Sequence, residues 1–254
     1  MKWFTMLPLL SLFLPCYSNT VHTHKQYVII FLGPPTSGKT TLSKWCVEKL
    51  KWGYLATEHL CNHYATKKTE IGKQINAAVK SGQLVPDSII LPIVDEQLEH
   101  HLRTSSCVIL EGFPRTIAQA EALDSLLGNH NQQPKLIVIK LIAQDETIIE
   151  RINNRYICPT CNKSYFLTKN SPLTPQKEMT CDHCLTPLTR KKDDAEKPIS
   201  KRLATYRKYE STMLDFYKNK GHNIVEFTIE LDLNNPLEKQ FATFASTMKT
   251  YHFM

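Results

Sequence analysis

The chain has 254 residues, 42% of them hydrophobic and 22% charged, with a mean hydropathy of −0.30 and a net charge of +7. This is ordinary globular composition, which excludes a disordered or fibrous chain, and at this length a core forms without disulfides or metals to hold it. The positive charge is spread among acids along the chain, which suits acidic small molecules or phosphates at least as well as nucleic acid.

The apolar run at 3–15 follows Lys2 and is too short to span a bilayer, so it reads either as a signal-like segment or as an extension upstream of the domain. Strand and helix patterns alternate after it. Tyr27–Leu32 is a continuous apolar, β-rich run, as in a strand covered on both faces, and it ends at a Gly/Pro/Ser loop. Leu42, Trp45, Cys46 and Leu50 then recur at helical spacing, which predicts a helix over about 38–51. Further buried strands are predicted at 107–110, 136–139 and 223–227. Such alternation implies a parallel sheet with its ligand at the carboxyl ends of the strands. Two stretches do not fit this core: 57–85 is polar and helical, and 156–192 is rich in Cys, Pro and Thr. Both read as insertions over the site.

Gly33-Pro34-Pro35-Thr36-Ser37-Gly38-Lys39-Thr40 matches G-x-x-x-x-G-K-[ST], directly after a buried strand and before a helix. A nucleoside triphosphate is a dense anion, and such a loop meets it with backbone N–H groups, a helix N-terminus and a lysine reaching the β- and γ-phosphates. Lys39 is that lysine, and Thr40 offers a hydroxyl to the Mg²⁺ that bridges those phosphates. Glu111 closes the run 107–110, so its carboxylate falls at a strand's carboxyl end, facing the loop, where the ion and its waters need an anionic partner. Cys158-x2-Cys161 and Cys181-x2-Cys184 have the spacing of a closed four-thiolate Zn²⁺ site, structural in role, with a hairpin expected between the pairs. Two disulfides are the competing reading. Thiolate zinc ligands and ATP both point to a reducing compartment, hence the cytoplasm.

With these segments in view, the chain resembles the adenylate kinase family in its long, zinc-bearing lid form, over about residues 27–217. The resemblance rests on the phosphate loop, on Gly82-Gln83-Leu84-Val85-Pro86-Asp87 and on Glu111-Gly112-Phe113-Pro114-Arg115-Thr116-Ile117-Ala118-Gln119. The four-cysteine stretch followed by Asp193-Asp194 and Lys201-Arg202 completes it. It implies an α/β fold, a P-loop NTPase-like parallel sheet flanked by helices, with a core at 25–56, 87–155 and 193–254. An acceptor-binding helical insertion at 57–86 and a zinc-bearing lid at 156–192 would interrupt that core, and 1–24 would be an extension or signal-like segment. The implied reaction is reversible phosphoryl transfer from Mg-ATP to AMP, giving two ADP, by a monomer without nucleic-acid or stable membrane partners. A kinase for UMP, CMP or GMP, or a nucleotide binder with weak or no turnover, is the alternative.

Carried over residue by residue, the resemblance assigns ATP to Gly33, Thr36, Ser37, Gly38, Lys39, Thr40 and Thr41, and to Arg151, Ser164 and Tyr165, with Arg151 stacked on the adenine. It assigns AMP to Thr57, Asn62, Gln83, Leu84, Val85, Gly112, Arg115 and Gln119, the Gln119 amide reading the adenine edge. Arg115 would fork onto the acceptor phosphate and the group in flight, and Arg155, Lys191 and Arg202 would join it and Lys39 as the lid closes. No catalytic base is expected, because a loose, metaphosphate-like transition state needs position and positive charge. The chain also departs from the family. Thr36, Thr40 and Glu58 stand where it has glycine, Glu111 and His59 where it has aspartate, and Asn62 and Lys191 where it has arginine. Asn62 carries the largest expected cost, about 1.5–3 kcal/mol of acceptor binding, unless Lys67 or Lys68 reaches in. Arg190, beside Lys191, offers the missing fork there.

Overall fold

The computed structural model describes residues 25–81, 83–168, 171–190, 194 and 199–250, and for Lys201 and Arg202 the backbone alone. The extension 1–24, Gly82 and Lys191 lie outside the described residues, as does the side chain of Arg202.

In chain order the core begins with β1 (Tyr27–Leu32), α1 (Lys39–Leu50), β2 (Gly53–Ala56), α2 (Thr57–Ala65), α3 (Glu70–Ser81) and α4 (Asp87–Leu102). It continues through β3 (Cys107–Glu111), α5 (Ile117–Asn129), β4 (Lys135–Ile142) and α6 (Asp145–Asn153). Three short strands follow, β5 (Arg155–Ile157), β6 (Ser164–Phe166) and β7 (Thr189–Arg190), then α7 (Ile199–Asn219), β8 (Asn223–Thr228) and α8 (Leu237–Thr250). Among the described residues no helix is long and apolar enough to cross a membrane.

Strands β2, β3, β1, β4 and β8, in that spatial order, form one wholly parallel sheet. Its apolar runs are continuous because helices cover both faces. Val28, Ile30 and Leu32 of β1 face a core shared with α3, α4, α5 and α7, while Tyr27, Ile29 and Phe31 face a second core shared with α1 and α8. Each fully buried Ile, Leu or Val in these layers contributes about 1.5–3 kcal/mol relative to exposure. The anticipated strands and the first helix all form, and the parallel P-loop NTPase-like architecture expected from the sequence is the one observed. Strand β1 lies between β3 and β4, so chain connections leave it toward both edges, and a crevice opens at its carboxyl end.

Strand β2 was not among the expected strands. It has four residues and starts at Gly53, where a Cβ would lie 3.3 Å from Val108 Cγ2 and 3.4 Å from His101 Cβ. The close approach of α4 explains the glycine, and the glycine hides the strand from a propensity reading.

The stretch expected to be helical carries two helices, α2 and α3, and ends at Ser81. Ile75 and Ala78 of α3 join the main core with Leu60, Cys61 and Tyr64 of α2 packed against them. The turn between the two helices packs onto Gly72 in the first turn of α3, where a Cβ would lie 2.3 Å from the Lys67 carbonyl oxygen and 2.6 Å from that of Tyr64.

The stretch 156–192 corrects one expectation. Among the described residues no strand ladder pairs the stretch between the two cysteine pairs with itself: β5 pairs antiparallel with both β6 and β7, and each cysteine pair occupies its own turn. Cys158 and Cys161 lie between β5 and β6, and Cys181 and Cys184 lie inside the Thr180–Pro187 bridge. A C-x-x-C turn is itself the tight connection, so each one needs flanking extended segments of its own.

Candidate nucleotide-binding site

The phosphate loop leaves β1 and enters α1 under tight steric limits. A Cβ on Gly33 would lie 2.6 Å from Ser37 Oγ and 2.9 Å from Leu141 Cβ, and Gly38 has φ +100° with Ile229 Cδ1 2.8 Å from where its Cβ would stand. Thr36 also has positive φ, 62°, a conformation that disfavours a β-branched residue. Lys39 Nζ lies back across the loop, donating to the Gly33 carbonyl at 2.5 Å and the Pro34 carbonyl at 2.9 Å. Ser37 is buried beneath the loop.

A cavity of about 1140 Å³ opens over this loop. The loop residues Gly33, Thr36, Gly38, Lys39, Thr40 and Thr41 form its floor. Leu84, Gly112, Arg115, Arg151, Arg155 and Ser164 also line it. Four cationic side chains from separate parts of the sequence therefore converge on one space at the end of β1.

The basic groups are held by specific partners. Arg151 is 6% exposed and donates to the Thr36 carbonyl at 3.2 Å and the Ile229 carbonyl at 2.7 Å, bracing the phosphate loop against the segment after β8. Arg155 grips Asp194 through Nε and Nη2 at 2.7 and 2.6 Å, leaving Nη1 uncommitted in that pair. Arg115 is exposed and donates from Nε to the Gly112 carbonyl at 2.8 Å. Gly112 has φ +81°, and a Cβ there would come within 2.6 Å of Thr57 Oγ1. Arg190 is exposed and reaches the Ile152 carbonyl.

Glu111 sits opposite the loop. Its Oε1 accepts from Thr40 Oγ1 at 2.6 Å and its Oε2 from Tyr54 Oη at 2.8 Å. These are hard oxygen donors, the chemistry Mg²⁺ selects.

Gln119 is 3% exposed, with both amide ends engaged. Its Oε1 accepts from the Arg115 N–H and its Nε2 donates to Asp87 Oδ1, each at 2.7 Å. One N–H remains free of these bonds. Thr57 opens α2, buried against Gly112, and Val85 is buried just before α4. Gln83 is exposed, and Asn62 lies exposed on α2, outside the cavity wall. Neither expected substitute for the missing arginine lines that wall, and Lys67 lies over the Tyr64 ring at 4.2 Å.

Tyr165 is a correction. The residue is 1% exposed and its hydroxyl donates to Cys181 Sγ at 3.4 Å while accepting the Asp182 N–H at 2.9 Å. Strand alternation turns it into the cysteine core and gives its neighbours Ser164 and Phe166 to the cavity.

The four cysteines gather at one point, their sulfurs all within 4.8 Å of one another. Cys161 Sγ and Cys181 Sγ are 3.7 Å apart and the cysteines are free, which overturns the disulfide alternative. A tetrahedral ion with Zn–S bonds of about 2.3 Å requires sulfur–sulfur edges of about 3.8 Å. Burial raises the Cys181 thiol, but donation from the Tyr165 hydroxyl and from the Cys184 and His183 N–H groups outweighs it and brings the thiol down to about 6. The donor set fits Zn²⁺ in number, type and spacing.

Several cavity residues carried no sequence signal. Tyr206 and Tyr209 of α7 are two of them. Tyr206 in fact places its ring 6.0 Å from Lys39 Nζ, and Tyr209 donates to the Pro114 carbonyl at 2.7 Å. Ile229, Leu231 and Leu237 form an apolar slot beside Arg151.

A phosphate loop at the switch point of a parallel sheet, a basic cavity above it and a cysteine-built flap beside it define a P-loop phosphotransferase acting on nucleotides. The sequence profile of the family described as "Adenylate kinase" matches residues 31–222. An adenylate kinase of Borrelia garinii subsp. bavariensis is 34% identical over 80% of this chain and 92% of its own length. One of Treponema denticola is 34% identical over 85% and 96%, and one of Clostridium kluyveri 36% over 76% and 87%. The chain belongs to the adenylate kinase family, and it is a nucleoside-monophosphate kinase whose reaction is phosphoryl transfer between ATP and AMP.

Proposed function

We propose that the γ-phosphoryl group of Mg-ATP passes to the phosphate of AMP inside the cavity above β1, with this chain's residues divided between a donor and an acceptor half. The observation that carries the reading is the convergence of Lys39, Arg115, Arg151 and Arg155 on that one space. In the donor half, the backbone of 33–38 and Lys39 cradle the β- and γ-phosphates, and the Arg151 guanidinium faces the adenine beside the slot at Ile229. Bound Mg²⁺ would neutralise charge on these oxygens, held through Thr40 and waters on Glu111. In the acceptor half, Arg115 takes the AMP phosphate, and Gln119, its orientation fixed by Asp87, offers its remaining N–H to the base. Thr57, Gly112 and Leu84 shape the space around that nucleotide.

Charge stabilisation then falls to Lys39, Arg115 and Arg155, joined by Lys191 and Arg202 when 156–192 closes as a lid and excludes water. The Asp194 clamp presets the Arg155 fork, so less rotamer freedom is lost as its free N–H groups meet phosphate. Zn²⁺ on Cys158, Cys161, Cys181 and Cys184 would stiffen that lid and take no part in the chemistry. Residues 57–86 serve as the acceptor-binding insertion and 1–24 as an extension to the kinase domain. The enzyme acts as a monomer in the cytoplasm, where ATP and reduced thiols coexist.

The test is ADP formation from Mg-ATP with AMP, UMP, CMP and GMP offered separately to the purified chain. Turnover with AMP is expected. ATP binding without turnover on any acceptor would make this a nucleotide binder and overturn the assignment.

A further inference from the structure

Two hydroxyls meet at one carboxylate. Glu111 Oε1 accepts from Thr40 Oγ1 at 2.6 Å. The other oxygen of Glu111 accepts from Tyr54, a residue that no motif in the sequence singled out. Tyr54 lies on β2 in register with Ile109, so its side chain shares a sheet face with Glu111 two residues further along β3. Ile109 and Tyr54 both pack in the core beneath α1, the helix whose first turn carries Thr40. The Tyr54 ring stands edge-on to His59, with centroids 6.2 Å apart. Burial, and after it the charge of Glu111, raise the phenol far above its ordinary value, so at neutral pH it is a hydrogen-bond donor and not an anion.

A glutamate adds a rotatable bond and a methylene to the reach of an aspartate, and a half-exposed glutamate is free to sweep several rotamers. Hydroxyls on both sides remove that freedom. Each carboxylate oxygen spends one lone pair on a hydroxyl and keeps another for a metal-bound water. We propose that Tyr54 is a positioning residue for phosphoryl transfer: its hydroxyl holds the Glu111 carboxylate against Thr40 and thereby sets the Mg²⁺ dependence of ATP binding. This rests on the reading of Glu111 as the partner of the metal's waters.

The test is the calorimetric affinity of the full chain for ATP with and without Mg²⁺, compared among wild type, Tyr54→Phe, Glu111→Gln and Glu111→Asp. Tyr54→Phe keeps the ring and its packing. It should cut the Mg²⁺-dependent gain in affinity by about tenfold, the size of one lost hydrogen bond to a charged group, and leave Mg²⁺-free affinity unchanged. Glu111→Gln should abolish most of the gain. Glu111→Asp draws the carboxylate away from the phenol without touching the ring, so it should reproduce the Tyr54→Phe loss, and adding Tyr54→Phe to it should change nothing further. Loss of the gain in Glu111→Gln but wild-type gain in Tyr54→Phe would overturn the positioning role and leave the Glu111 reading standing. Wild-type gain in Glu111→Gln would overturn the Glu111 reading and the inference with it.

Discussion

The α2–α3 pair and the three-stranded cysteine sheet both lie outside the five-stranded sheet, and they are stabilised by different physics. The helix pair has no core of its own. Ile75, fully buried, and Ala78 extend the main apolar layer, with Leu60, Cys61 and Tyr64 closing over them. The cysteine sheet has a private core of Cys158, Tyr165, Cys181 and Leu188, separate from the layers of the main sheet. So small a cluster cannot offset the conformational entropy of its loops, and a metal on the four cysteines, as proposed, would supply what apolar area does not. The difference implies that the helix pair rises and falls with the whole molecule, while the cysteine sheet unfolds alone.

The largest effect expected is on the cysteine sheet. Cys181→Ser, or a strong chelator, should remove most of a metal contribution of about 10 kcal/mol or more. Hydrogen exchange should show lost protection at Tyr165 and Leu188 with β1 and β4 unchanged, and loss of protection in β1 as well would join the two regions into one folding unit. Next is Ile75→Ala, expected to cost about 2–5 kcal/mol. Urea unfolding followed by tryptophan fluorescence should shift as a single transition, and a separate early transition would break the comparison from the other side. Gly112→Ala forces a side chain onto φ +81° and against Thr57, at about 1–3 kcal/mol. It should raise KM for AMP more than KM for ATP, since the strain is aimed at the start of α2. The smallest effect is Asn62→Arg, which would offer a charge-assisted contact to the acceptor phosphate and should tighten AMP about tenfold in steady-state kinetics. Unchanged AMP affinity would mean that another residue already does that work.

Much of this architecture was legible because the strongest signals are periodic or local. The apolar run Tyr27–Leu32, the glycine-bracketed loop and the paired C-x-x-C turns each declare themselves within a few residues. Relations across elements were not legible. Nothing in the spacing of Tyr54 and Glu111 reports a bond between strands 57 residues apart in sequence. Tyr165 was expected at the donor nucleotide, but a strand places alternate residues on opposite faces, and the phase of β6 depends on where the first cysteine turn ends. Arg151 was expected against the adenine, and the two carbonyls that brace it come from Thr36 and Ile229, both distant in sequence.

That brace also bears on the strain in the loop. Thr36 holds a backbone conformation that glycine adopts freely, and its carbonyl is tied down by a buried arginine from α6. The tether penalises any relaxation of the loop, so the strain stored at position 36 is held by the guanidinium at position 151 as a spring is held by a latch. Removing the guanidinium would release that latch and let the loop drift from its anion-binding shape.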